Sequence, residues 1–594
     1  MRNSVTRRRP VGAELVAGGV DFCVWAPDHK SVSVVIDGSD SPLDRDSDGH
    51  FRGVVAKARA GTRYRLRLDR GNELFPDPAS RFQPEGPHGP SEVVDPHAFR
   101  WRASNPRVET KDLVIYEMHI GTFTREGTWR AAIEQLRPIA DLGINLLEVM
   151  PVNEFPGRFG WGYDGVDLWA PTRLYGAPDD FRLFVDSAHA LGLGVILDVV
   201  YNHFGPDGCY LKNFSKDYFT DRYRVEWGDA INFDAAAVRE YFSENAGYWV
   251  DEFHLDGLRL DATQSINDRC PEHIITMIQR RAREAASDRS IFIVAENEPQ
   301  DVQLITRYGV DALWNDDWHH AAMVAATGRR EAYYTDYLCK PQEFISAAKH
   351  GFLYQGQYYG WQKKRRGTSS RHLPREKLVC YLQNHDQIAN SSEGLRLQYV
   401  TSPGRFRALT ALLLLGPNPP MLFQGQEFAS SAPFLYFADH KPELAASVDK
   451  GRRDFMRQFR SIDVGKLSAP HDPAMFEHCK LDHSEREKHA DVVAMHRELL
   501  RLRRALDFSD IDGAVLGDSA FLLRYSNAHL LLVNLGDRLE LEVAPEPLLA
   551  PPRGSRWEVG WSSETLQKPV EVDGVPSWRI PAEAAVLMRA TKVS

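Results

Sequence analysis

From about residue 110 onward the chain alternates short apolar runs with stretches of helical periodicity, and few folds accommodate that alternation. Residues 113–116 read as a strand. Between Trp129 and Leu142, the side chains Ala132, Ile133, Leu136, Ile139 and Ala140 share one helical face, and Gly143 stops the helix. Residues 146–150 form the next strand. A second helix carries Phe181, Phe184, Val185, Ala188 and Leu191, ends at Gly192 and feeds a strand at 195–197. Repetition of strand, helix and strand specifies parallel strands joined by right-handed crossovers. Further runs at 258–260, 291–295, 312–314, 378–382 and 421–423 bring the count to eight, the number in a (β/α)8 barrel.

Several of these runs end in a carboxylate: Gly257-Leu258-Arg259-Leu260-Asp261, Ile293-Val294-Ala295-Glu296 and Tyr381-Leu382-Gln383-Asn384-His385-Asp386. A fourth, Leu197-Asp198-Val199-Val200-Tyr201-Asn202-His203, has a histidine just beyond its end. Acids at the C-terminal ends of parallel strands gather at the barrel mouth, where such folds place their chemistry. Glycosidic cleavage with retention needs one carboxylate to attack the anomeric carbon and a second, protonated, to serve the leaving oxygen. Arg259, two residues before Asp261, shares its face and can hold it ionised, which suits Asp261 to the nucleophile's role. Glu296 closes a strongly apolar strand, where desolvation raises its pKa toward that of a general acid. Taken singly, an Asp after a strand more often caps the next helix, a lone His is usually structural, and Glu298 competes with Glu296 unless Pro299 has ended the strand. The conjunction of strand ends is what favours the catalytic reading.

The rest of the chain reads as flanking β-domains. A length of 594 residues implies two to four domains. Runs at 20–25, 32–36 and 64–68 suggest an N-terminal β-sandwich over residues 1–100, and the Pro-rich stretch from Phe75 to Pro90 a linker or docked loop. The barrel occupies 101–509, with a long structureless insert at about 204–234 over its mouth. Runs at 521–525, 530–533 and 585–588 suggest a C-terminal β-sandwich over 510–594.

A net charge of -10 argues against nucleic acid or an anionic membrane as partner. The basic Arg7-Arg8-Arg9 has no apolar segment behind it and no run is long enough to span a bilayer, so a cytoplasmic home is expected. Cys23, Cys209, Cys270, Cys339, Cys380 and Cys479 lack the spacing of a metal site or disulfide framework and read as free thiols. Lys363-Lys364-Arg365-Arg366 reads as a solvated charge run. Trp314-Asn315-Asp316-Asp317-Trp318-His319-His320 reads as a sugar-contacting loop, since adjacent histidines do not share a face and a metal site would need other partners.

In their order and residues these strand ends resemble the α-amylase superfamily of glycoside hydrolases and transglycosidases. The resemblance implies Asp261 as nucleophile, Glu296 as acid/base and Asp386 as the third acid, which binds sugar hydroxyls and stabilises an oxocarbenium-like transition state. It further implies His203 and His385 as sugar-binding histidines, Tyr163 of Trp161-Gly162-Tyr163-Asp164 as an aromatic platform, and Asp198 as the acid orienting the network around Arg259. Asn202 stands where some amylases bind calcium, but no acidic ligands accompany it and neither metal nor cofactor is expected. Residues 74–84, 115–123, 161–166, 315–320 and 382–388 are similar to one branch, the malto-oligosyltrehalose trehalohydrolases. That branch implies malto-oligosyltrehalose or a related α-glucan as substrate, trehalose as product, and a monomer or homodimer. Glycogen branching enzyme, which shares the N-terminal module and the acids but transfers glucan to a sugar hydroxyl, is the alternative. Asn297-Glu298-Pro299-Gln300 and Gly425-Gln426-Glu427-Phe428 depart from the branch's pattern, and are expected to bear on the trehalose-side subsites.

Overall fold

The computed structural model describes residues 7–225, 228–391, 393–541, 545–566, 571–572, 575–576 and 578–593. Eight parallel strands close into a barrel: β1 (Ile115–Met118), β2 (Leu146–Val149), β3 (Gly194–Val199), β4 (Gly257–Leu260), β5 (Phe292–Ala295), β6 (Ala312–Trp314), β7 (Leu378–Tyr381) and β8 (Pro420–Phe423). Each pairs with its sequence neighbour, and Ile115 opposite Met421 closes the ring. Ile115, Leu146, Ile196, Val294, Trp314 and Met421 pack together inside it as an apolar plug. Because side chains two apart share a face, Glu117, Glu148, Asp198 and Arg259 point into the barrel above this plug. The sequence thus writes an apolar floor and a polar upper layer into the same strands.

The N-terminal sandwich pairs a sheet of Gly12–Val16, Gly19–Trp25, His50–Val55 and Asp44–Arg45 with one of Ser39–Pro42, Val32–Ile36, Arg63–Leu68 and Leu74–Phe75. The Pro-rich stretch after it is a docked loop: the Asp77 carboxylate accepts a 2.7 Å hydrogen bond from Tyr64, and the Arg81 guanidinium stacks 4.5 Å from Trp169 on the barrel. In the C-terminal sandwich, a five-stranded sheet carries Phe521, Leu523, Leu531 and Val533 on the face joining the main core, while Leu522, Leu530, Leu532 and Val586 pack with Leu549 and Ile580 on the other. Burial on both faces explains why these strands are apolar runs without alternation.

Three local expectations are corrected. The helical stretch from Trp129 to Leu142 is two helices, Trp129–Ile133 and Leu136–Leu142, broken at Glu134 and Gln135. The insert after β3 is not structureless: a helical turn, Leu211–Phe214, precedes the antiparallel pair Phe219–Val225 and Gly228–Ile231. Asp316–Thr327 is a helix, capped by the Asn315 side chain, which accepts from the Trp318 N–H at 3.2 Å. His319 and His320 lie inside it, buried and held well below the usual histidine range by that burial, His319 bonded to the Leu382 carbonyl. They are structural residues and not part of a sugar-contacting loop. No helix among the described residues is long and apolar enough to cross a membrane.

Candidate active site

The cleft at the barrel mouth encloses about 310 Å³ and is lined by Trp161, Tyr163, Asp164, Asn202, His203, Asp261, Ala262, Gln264, Ser265, Glu296, His385, Asp386 and the aromatic pair Tyr436 and Phe437, among others. The fold therefore brings together every site residue expected from the sequence. Arg259 and Asp198 form its floor.

Arg259 organises the site. It is fully buried, its guanidinium 4.3 Å from the Trp314 ring, and it donates to three carboxylates at once. Nη1 reaches Asp198 Oδ2 at 2.6 Å and Asp261 Oδ1 at 2.7 Å, and Nη2 reaches Glu296 Oε2 at 2.8 Å. Charge-assisted bonds of this kind are about twice as strong as neutral ones, and the planar fork fixes direction as well as charge. Asp261 also accepts from Asn202 Nδ2 at 2.8 Å on its other oxygen. Burial alone would raise the Asp261 carboxyl; Arg259, His203 and the Asn202 bond outweigh it and hold Asp261 below the usual aspartate range.

Glu296 takes the opposite path. Burial, opposed by Arg259 and reinforced by the negative charges of Asp261, Asp386 and Asp316, pushes it up to about 8. Its Oε2 accepts a further bond, at 3.1 Å, from the N–H of Ala262, a residue held at φ +37. A non-glycine residue there is strained, and the strain aims the backbone after Asp261 at the neighbouring acid. Two carboxyls on one guanidinium thus rest in opposite protonation states near neutral pH, Asp261 ionised by Arg259 and Glu296 kept protonated by burial in spite of it. Glu298, by contrast, lies beyond the end of β5 with Oε1 3.5 Å from Arg366 Nε and does not line the cleft.

Asp386 stands in the first turn of the helix His385–Ala389, whose start is capped by Asn384, and its side chain is 44% exposed to the cleft. His385 Nε2 lies 2.9 Å from the Tyr163 hydroxyl and 3.4 Å from Asp386 Oδ2. Tyr163 stacks on His385 at 5.2 Å and gives its hydroxyl proton to Asp198 at 2.7 Å, so its ring is held by its face and by its hydroxyl. His203 bonds the Tyr163 carbonyl at 2.7 Å and the Asn202 side chain. Asn202 therefore serves Asp261 and His203, and among the described residues no cluster of three or more His, Cys, Asp or Glu could hold a metal ion.

Two expectations are corrected at the site's edge. Gln426, Glu427 and Phe428 form a buried turn in which Glu427 accepts from the Tyr116 hydroxyl at 3.0 Å, and none of them lines the cleft. Arg366 is not solvated like Lys363, Lys364 and Arg365: it is 2% exposed, donates to the Tyr337 hydroxyl at 3.0 Å, and lies 3.5 Å from Asp317 and 3.7 Å from Asp316. Sequence reasoning passed over Glu117 and Glu148, although each lies at or near a strand end as the named acids do.

The family described as alpha amylase, catalytic domain, matches residues 99–227. A malto-oligosyltrehalose trehalohydrolase of Saccharolobus solfataricus is 38% identical over 504 residues, covering 83% of this chain and 86% of its own. One of Deinococcus radiodurans is also 38% identical, over 84% of this chain and 83% of its own. The crystal structure of a protein provisionally assigned as an alpha amylase, from Salmonella typhimurium, superimposes with a TM-score of 0.88 at 36% identity, over 98% of this chain and 100% of that one. With that likeness running through the barrel and both flanking sandwiches, the chain belongs to the malto-oligosyltrehalose trehalohydrolase family of the α-amylase superfamily.

Proposed function

We propose that the protein is a retaining glycoside hydrolase that cleaves the α-1,4-glucosidic bond next to the terminal trehalose of malto-oligosyltrehalose, releasing trehalose. The observation that carries the mechanism is the pair of carboxyls on Arg259, Asp261 held ionised and Glu296 held protonated. Asp261 attacks the anomeric carbon while Glu296 gives its proton to the departing glycosidic oxygen. Glu296, now a carboxylate, then takes a proton from the water that opens the glycosyl-enzyme. One guanidinium gripping both carboxyls keeps them close, in keeping with the separation of about 5–5.5 Å used in double displacement; inverting enzymes use about 6.5–9.5 Å. Asp386 hydrogen-bonds ring hydroxyls and offsets the oxocarbenium charge, and Tyr163 stacks beneath the ring with His203 and His385 beside it.

The choice of substrate rests on the likeness of the whole chain to the trehalohydrolases. Malto-oligosyltrehalose and a plain malto-oligosaccharide, incubated separately with the protein and followed by proton NMR, test both parts. Trehalose released from the first, with the new reducing end initially in the α-configuration, supports the reading. An initial β-anomer excludes the double displacement, and new α-1,6 linkages identify a branching enzyme.

A further inference from the structure

Beneath His385 the barrel holds an acid pair that the reaction leaves unused. Glu117 on β1 and Glu148 on β2 are register partners, each 1% exposed, and both point inward. Two buried carboxyls side by side do not both ionise. Burial, then the charge of Glu117, raises Glu148 well above the usual glutamate range, and its Oε2 has no hydrogen-bond partner. Glu148 is thus the neutral member of the pair.

Glu117 turns both oxygens toward His385: Oε1 meets ring Nδ1, and Oε2 accepts the His385 backbone N–H at 3.3 Å. Facing a carboxylate, Nδ1 must carry a proton. On the other side, Nε2 lies 2.9 Å from the Tyr163 hydroxyl, but a phenol has one proton and Tyr163 gives it to Asp198 Oδ2. Asp198 is itself an acceptor, held by Arg259 Nη1 at 2.6 Å. Nε2 must therefore donate to the Tyr163 oxygen, and the count leaves a proton on each nitrogen.

We propose that Glu117 is a positioning residue for the reaction: it keeps His385 as an imidazolium whose Nε2–H is presented to Tyr163 and Asp386 at the sugar side of the cleft. The other groups facing the ring are Asp386 on its own helix, at 3.4 Å, Arg259 from β4, which opposes the charge, His119 after β1, and the rings of Trp161 and Trp314. In sum, burial lowers His385 but Asp386 and Glu117 outweigh it, and the ring is pushed up to about 9. The kinetic consequence rests on the hydrolase reading above; the charge state does not. A fixed cation there holds Asp386 in place at the sugar side of the cleft.

The test has two arms. In the whole protein labelled with ¹⁵N-histidine, the resonance that disappears in His385→Gln identifies the ring; it is expected to be doubly protonated at about pH 7.5, and neutral there in Glu117→Gln, where burial, which lowers the ring, is opposed by Asp386 without Glu117. A neutral His385 in the unsubstituted protein at that pH overturns the proposal, whether or not Glu117→Gln folds. In the kinetic arm, kcat of Glu117→Gln on malto-oligosyltrehalose, relative to the unsubstituted enzyme, is expected to fall on the order of tenfold between about pH 5.5 and about pH 7.5, following loss of the imidazolium, with KM changing less. A loss of equal size at both pH values shows a merely structural role and overturns it. If the unsubstituted enzyme leaves this substrate intact, the hydrolase reading falls and the NMR arm alone decides.

Discussion

Replacing Glu296 by Gln should abolish activity and, at alkaline pH, make the protein more stable. The carboxyl ordinarily titrates near 4.5 and is pushed up to about 8 in the fold by burial and by Asp261, Asp386 and Asp316. A folded-state pKa above the unfolded one means the group favours folding while protonated. Below about 4.5 it is protonated in both states and makes no difference to how stability varies with pH. Between about 4.5 and about 8 the unfolded chain ionises while the folded one does not, so stability falls as pH rises. At about 1.4 kcal/mol per pH unit the full span is worth on the order of 5 kcal/mol. The side chain is 21% exposed and keeps its Arg259 bond, so part of the span is relieved by solvent, and a difference of about 2–5 kcal/mol is expected above pH 8. Glutamine is nearly isosteric and cannot ionise, so it escapes this loss. Thermal and urea unfolding of the two proteins at about pH 5 and about pH 8.5 should give similar stability at the lower pH and a more stable variant at the higher, with turnover lost at both. A variant less stable than the parent at alkaline pH, or a difference independent of pH, would refute the idea that Glu296 is buried in its protonated form.

Other consequences follow from the same geometry. The profile of kcat/KM should be a plateau whose alkaline limb lies near 8, where Glu296 ionises, and whose acid limb lies below the ordinary aspartate range of about 3.9, where Asp261 gains a proton; an alkaline limb near 6 would contradict the assignment. Asp261→Asn should fold yet lose turnover by on the order of 10⁴-fold or more, and partial activity would move the nucleophile elsewhere. Arg366→Met leaves Asp316, Asp317 and Glu298 facing one another without their cation, and should cost about 3–5 kcal/mol in urea unfolding; an unchanged midpoint would show that the cluster is already neutral.

How much of this was legible in the sequence depends on what each residue answers to. Asp261, Glu296 and Asp386 could be found because a strand end is a local signal: an apolar run followed by an acid places that acid at the barrel mouth whatever the loops do. The spacing of Arg259 and Asp261 likewise fixed a shared face. Arg366 could not be found, since a run of four cations looks the same whether its last member is solvated or turned inward between three carboxylates on distant segments. The stretch at His319 and His320 was misread because a capping asparagine followed by two acids looks like a polar loop until its helix is seen to pack against β7. Glu117 was legible but unused: it needed the register between β1 and β2 to show that two acids share one buried layer.

The central claim is that this cleft reads the trehalose end of its substrate and uses water as acceptor. Its most direct test is kcat/KM on malto-oligosyltrehalose relative to a malto-oligosaccharide of equal length. A site hydrogen-bonded to the α,α-1,1-linked disaccharide leaves buried polar groups unpaired when an ordinary maltosyl end takes its place, and such rejection reaches on the order of 10⁴. A large ratio with free trehalose as product is the predicted result; equal values on the two substrates would contradict it.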